Sequence, residues 1–148
     1  MVEQEIQNLF ISKQWTLALA ESCTGGAIAS RLVAIPDCSR YFLGSLVAYA
    51  PSVKVALLDV NPETLKQFGA CSQQIAEEMA LGALKKFHAN CALAITGNAS
   101  FPPETGAWVA CVRSDKRIFS QYFPVTGDRK EVISQLSDKA LQFLYSVI

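Results

Sequence analysis

The feature that most constrains this chain is the alternation of short apolar runs with helix-period sequence. "TLALA" (16–20) reads as a short buried strand, and Val2, Ile6, Leu9 and Phe10 before it recur at helical spacing. "GAIASRLVAI" follows as a helix that stops before Pro36. "YFLGSLVAYA" (41–50) is aromatic and β-branched enough for a second buried strand, ended by Pro51, which cannot donate to a ladder. "PSVKVALL" then starts a helix with proline in its first turn, Asn61 before Pro62 caps another, and Ser72 caps the helix carrying Ile75, Met79, Ala83 and Phe87. "CALAI" (91–95) is a third strand, and "AWVACVR" (107–113) pairs with "RIFSQYF" (117–123) across the polar turn "SDK". A long amphipathic helix closes the chain, with Asp128 and Glu131 at capping-box spacing. Strands alternating with helices, then a hairpin and a closing helix, give a layered α/β domain with a mixed sheet.

With 148 residues the chain is expected to be one domain, 1–148, burying roughly 68–70% of its unfolded surface, so neither disulfides nor a structural metal is required. Hydrophobic residues make up 51%, which suggests a well-filled core and a homo-oligomer interface. No stretch approaches the ~18 uninterrupted apolar residues of a spanning helix, so no membrane partner is expected. Thirteen basic and thirteen acidic residues, with no basic run longer than Lys85–Lys86, argue against a nucleic-acid partner. The first ten residues hold two glutamates and no basic region, unlike a secretory signal. The five cysteines, Cys23, Cys38, Cys71, Cys91 and Cys111, are odd in number and form no CxxC pair, so free thiols and a cytoplasmic location are the expectation.

Chemistry concentrates in "ESCTGG" (21–26), a turn between a strand and a helix. Ligands of α/β sheets gather at the carboxyl ends of strands, where helix N-termini offer free N–H groups. Gly25 and Gly26 would allow close backbone approach there. Two readings stand: Ser22 and Thr24 cap the helix, or Ser22 is a nucleophile. No Lys-Ser or Lys-Thr follows the glycines, which excludes a nucleotide P-loop. A nucleophilic serine needs a base, and the sole histidine, His88 in "KKFHAN", reads as a helix C-terminal residue rather than a triad member. Lysine remains, because a desolvated amine loses its proton more readily. Lys54, in "AYAPSVK" between apolar neighbours, is the choice, with Tyr49 placed to orient it or to stack on a ring.

In order and spacing, "AESCTGG", "VAYAPSVKVALLDV", "AITG", the Gly-x-Trp-Val run and "GDR" resemble the CinA C-terminal domain family, over about residues 5 to 147. The resemblance implies a three-layer α/β/α sandwich with a mixed, mostly parallel sheet. It also implies an amidohydrolase without cofactor or metal, which converts nicotinamide mononucleotide to nicotinate mononucleotide and ammonia. The family serine falls on Ser22, its lysine on Lys54 and its tyrosine on Tyr49. Glu21, Thr96 with Gly97, and Arg129 match further motif positions with structural or substrate-holding roles. Backbone N–H groups near Thr24, Gly25 and Gly26 would hold an oxyanion, and Arg129 with the helix N–H groups beside it would hold the phosphate of a small nucleotide substrate.

The chain departs from the family pattern at two places. Tyr49-Ala50-Pro51 stands where Tyr-Ser-Asn is usual, and "NASFPPETGAWV" replaces a longer loop with internal glycines. Ser100, Phe101, Pro102 and Pro103 in that loop would reshape what fits. The alternatives are therefore a deamidase with an altered substrate, or a family member that binds a nucleotide or a protein partner without turnover. A thiol-based reaction through Cys23 is a further alternative.

Overall fold

The structure is a computed structural model that describes residues 1–100 and 105–148. Phe101 to Glu104, part of the altered loop, lie outside the described residues. In chain order the elements are α1 (Val2–Lys13), β1 (Leu17–Glu21), α2 (Ala27–Val33), β2 (Phe42–Val47), α3 (Pro51–Leu58), α4 (Pro62–Phe68), α5 (Gln73–Phe87), β3 (Cys91–Asn98), β4 (Gly106–Arg113), β5 (Ile118–Pro124) and α6 (Arg129–Val147), with one 3-10 turn at Cys38–Arg40. The sequence-based helices and strands all form. The second strand is shorter than expected: it ends at Val47, so Tyr49 sits in the connection to α3 rather than in the strand. The proposed caps form as well, with Asn61 accepting from the Glu63 N–H, Ser72 from the Ile75 N–H, and Asp128 and Glu131 making a reciprocal capping box.

The strands form one five-stranded sheet in the order β2-β1-β3-β4-β5. β1 pairs parallel with β2 and β3, and the β3-β4 and β4-β5 pairs are antiparallel. Only β4 therefore runs against the other four, which makes the sheet mixed and mostly parallel. Among the described residues no helix is long and apolar enough to cross a membrane.

Two different cores flank the sheet, and strand alternation writes both of them. Leu17, Leu19, Leu93, Ile95 and Val109 face α1, α2 and α6. The opposite face is built from alanines, Ala18, Ala20, Ala92, Ala94 and Ala110, all fully buried against α3 and α5. Small side chains bring α5 close to the sheet, and α5 answers with Ala76, Ala80 and Ala83. On the first face Arg31 of α2 bonds both Glu3 of α1 and Asp138 of α6, tying the three helices together.

Gly82 lets α5 meet the end of α3. A Cβ at this position would lie 2.0 Å from the Leu58 carbonyl oxygen, so the two helices would have to separate. Gly82→Ala gains about 1 kcal/mol in helix propensity. Overpacking against a backbone atom costs about 1–3 kcal/mol and exceeds that gain. The expected outcome is a lowered urea midpoint with unchanged m-value; an unchanged or raised midpoint would show that the α3–α5 contact yields without cost.

Candidate active site

Ser22 stands just past the end of the interior strand β1, where its N–H still donates to the Ile95 carbonyl of β3 (3.1 Å). Because Glu21 points to the α2 side of the sheet, the next residue points the other way, toward α3. There the Lys54 amine lies 2.8 Å from Ser22 Oγ. Lys54 and Leu58, four residues apart, are the buried residues of α3, so the lysine occupies a position where an amphipathic helix would ordinarily carry an apolar side chain. It is 1% exposed, and the removal of its charge from water holds its pKa below the ordinary 10.5. Pro51 in the first turn of α3 starts the helix and so fixes where Lys54 points.

The amine also donates to the Tyr49 carbonyl at 2.8 Å. A neutral amine has two N–H donors and one lone pair. With one N–H aimed at that carbonyl, the lone pair can face the Ser22 hydroxyl and accept its proton. Tyr49 thus orients the lysine through its backbone, not through its ring. Tyr49 is 60% exposed, and its hydroxyl accepts from Arg129.

The turn behind Ser22 is organised by Glu21. This fully buried carboxylate accepts from the Thr24 hydroxyl (2.7 Å), the Ile28 N–H (3.0 Å), the Ala29 N–H (3.1 Å) and the Ser45 hydroxyl of β2 (3.0 Å). It therefore caps α2 from seven residues away, while the residue at the N-cap position, Gly26, makes no side-chain bond. The capping reading of Ser22 and Thr24 is corrected accordingly: Thr24 spends its hydroxyl on Glu21, and Ser22 faces Lys54. Gly25 and Gly26 have φ of +59° and +101°, a left-handed pair that lets the chain turn from strand to helix, and a Cβ on Gly25 would meet no protein atom within 4 Å.

On β3, Thr96 is 1% exposed and donates its hydroxyl to the Ala70 carbonyl (2.8 Å), pinning the segment before α5 beside Ser22. Gly97 supplies close approach, since a Cβ there would come within 2.2 Å of the Gly106 carbonyl. Arg129, first residue of α6, donates to the Ser100 hydroxyl and to the Tyr49 hydroxyl (3.1 Å). The helix N–H groups expected to share an anion with it are not all open: Asp128 takes the Glu131 N–H, and two carboxylates crowd that turn.

Cys23 is 4% exposed and belongs to the core with Ile28 and Leu32. Burial, reinforced by nearby Cys71, pushes its thiol up to about 12, which leaves no thiolate to attack anything near neutral pH. His88 closes α5 in the left-handed conformation, as a C-cap. A groove of about 300 Å³ between α1 and α6, lined by Glu5, Asn8, Leu9, Ser12 and Tyr145, contains no lysine or histidine to activate a nucleophile. Two contacts are not anticipated by the sequence reading, that of Ser45 with Glu21 and that of Ser100, expected only to reshape the loop, with Arg129. Ser45 had a signal, as the one hydroxyl in the otherwise apolar run "FLGSLV".

The sequence matches the model of the family described as CinA C-terminal domain over residues 1–148. It is 38% identical over 152 residues to a CinA-like protein of Flavobacterium psychrophilum, covering 99% of this chain and 36% of that protein. It is 41% identical over 135 residues to a CinA-like protein of Pseudothermotoga lettingae, covering 91% of this chain and 31% of that one. The chain thus spans about a third of the length of the curated relatives it matches. Among solved structures, the competence damage-inducible protein A of Klebsiella pneumoniae superposes with TM-score 0.93 at 28% identity, covering 99% of this chain and 94% of that one. The competence/damage inducible protein CihA of Agrobacterium tumefaciens gives TM-score 0.93 at 30% identity, with 98% and 92% covered.

Proposed function

This chain belongs to the CinA C-terminal domain family, and from that premise we propose that it is an amidohydrolase that removes ammonia from the carboxamide of nicotinamide mononucleotide. The observation that carries the proposal is the contact between a buried, water-stripped lysine and a serine at the carboxyl end of β1. A structural lysine has no need of burial, and a capping serine has no need of a lysine.

In the proposed reaction Ser22 Oγ attacks the carboxamide carbon while its proton passes to Lys54 Nζ. The oxyanion of the tetrahedral intermediate needs donors fixed in advance. Within the stretch from Thr24 to Gly26, the Gly25 amide is taken by the Ser22 carbonyl, and beyond it the Ala27, Ile28 and Ala29 amides are taken by Thr24 and Glu21, so of that stretch the Thr24 and Gly26 amides are the ones offered to the oxyanion. Lys54 returns the proton to the departing nitrogen, and ammonia leaves an ester on Ser22. Water, deprotonated by the same amine, hydrolyses the ester to the carboxylate and restores the serine. Arg129 supplies the positive charge for the phosphate of the nucleotide.

The test is ammonia release from nicotinamide mononucleotide by the purified chain as a function of pH. Only the neutral amine accepts a proton, so activity at saturating substrate falls as pH falls through the Lys54 pKa, which lies below 10.5. A rate without this acid limb would remove Lys54 from the role of base. Release of ammonia from other carboxamide nucleotides, but not from this one, would replace the substrate and keep the reaction.

A further inference from the structure

Arg129 is exposed and, among the described residues, makes no ion pair. Its guanidinium is instead divided between two hydroxyls, Ser100 Oγ and the Tyr49 phenol. A guanidinium has no acceptor, so both oxygens must accept from it, and each hydroxyl keeps its own O–H for another partner. The cluster therefore presents two O–H donors and a positive charge. That combination suits a tetrahedral oxyanion better than any neutral or cationic group.

Three separate segments bring these groups together: the β2–α3 connection, the residues after β3, and the start of α6. Ser100 is held in place by its own N–H, which donates to Asn98 Oδ1 at 3.1 Å. Tyr49 links the cluster to the reacting groups within a single residue, because its carbonyl accepts from Lys54 and its phenol accepts from Arg129. A ligand that spans the two must carry a carbonyl carbon at one end, for Ser22, and an anionic group at the other, for Arg129. A mononucleotide with an amide on its base ring does so.

We infer that Ser100, together with the Tyr49 hydroxyl, completes a phosphomonoester subsite around Arg129 and determines specificity for phosphorylated substrates. The inference rests on the deamidase reading for the identity of the amide end, but the subsite is testable without the reaction. On ligand binding the two O–H groups and the guanidinium donate together to the phosphate oxygens, and the contacts among the three side chains are exchanged for contacts with the ligand.

Calorimetric titration of the full chain with inorganic phosphate, and of the Ser22→Ala variant with nicotinamide mononucleotide, reads the subsite directly. Ser100→Ala is expected to weaken both ligands about fivefold or more, the value of one lost hydrogen bond, and Ser100→Thr to restore them. Nicotinamide riboside, which lacks the phosphate, should be indifferent to the change. In the active chain the KM for the mononucleotide should rise by the same factor at unchanged kcat. Equal or tighter binding by Ser100→Ala overturns the inference, because tighter binding means the hydroxyl competes with the ligand for Arg129. Absence of phosphate binding in the unaltered chain overturns it too. If Ser100→Ala weakens phosphate binding while the unaltered chain releases no ammonia, the subsite stands and the deamidase reading falls.

Discussion

Replacing Ser22 by Ala, or Lys54 by Met, is expected to lower ammonia release from nicotinamide mononucleotide by ~10³-fold or more in each case, the scale on which a nucleophile or its partner counts. The double replacement should cost little beyond either single one, since the two groups act as a unit: a serine without a base and a base without a serine are equally idle. The effects on stability should point the other way. Lys54 is 1% exposed with a pKa lowered by burial, so near neutral pH the folded state must either strip a charge of water or release a proton that the unfolded chain keeps. Between the lowered folded pKa and 10.5 the unfolded state binds more protons at this position, so the cost to stability is full below the folded value, shrinks as the pH rises through that window and is gone above 10.5. Met has a similar length and no charge, so Lys54→Met should unfold at the same or a higher temperature while losing activity. Mass spectrometry supplies the complementary readout, an ester on Ser22 in the reacting protein that is absent from Ser22→Ala. Full activity in either variant would move the reaction away from this pair, and an inactive Lys54→Met that is also unfolded would make the lysine a structural residue instead.

The contrast between what the sequence made legible and what it hid follows from the range of each signal. Strand alternation and caps act over two to four residues, and "LALAE", Asn61-Pro62, Ser72 and the Asp128/Glu131 pair all form what their spacing implies. Elimination of other bases and family likeness point to the pairing of Ser22 with Lys54, but its distance depends on a parallel β1–β2 pairing that no local pattern encodes. Glu21 shows the limit most clearly. The motif marks it as important but not as a cap, because only Thr24 is a local partner, while the two α2 amides lie seven and eight residues away and Ser45 twenty-four. The sequence places Tyr49 in catalysis as a side chain, yet it meets Lys54 through its carbonyl, an atom that every residue possesses. A backbone acceptor leaves no trace in residue identity, and Ser100 bonds Arg129 across twenty-nine residues for which the sequence offered no guide.

Glu21 carries the largest expected effect on stability. Its side chain is fully buried and meets four donors, two from the backbone of α2 and two hydroxyls from Thr24 and Ser45. Glu21→Ala would orphan all four at once beside an apolar core, and each buried donor left unsatisfied costs about 1–3 kcal/mol, so the loss amounts to several kcal/mol. For a chain of this length that corresponds to a melting temperature lower by roughly 10 °C or more. Glu21→Gln separates the charge and its geometry from the volume. One amide oxygen can still accept, but the NH2 group then faces donors; the hydroxyls can rotate to accept from it, whereas the Ile28 and Ala29 N–H groups are fixed by the helix. The expected cost is that of one unsatisfied buried group, about 1–3 kcal/mol. Since Ser22 follows directly, the same loosening should appear in catalysis as a fall in kcat with a smaller change in KM, the pattern of a positioning residue that does not touch the ligand. Ser45→Ala, which removes a single hydroxyl from the same carboxylate, should reproduce the effect in miniature, and Ser45→Thr should restore it. If Glu21→Gln melts and turns over like the unaltered chain, the carboxylate is not what holds the nucleophile turn, and the left-handed glycine pair at Gly25 and Gly26 must hold it alone.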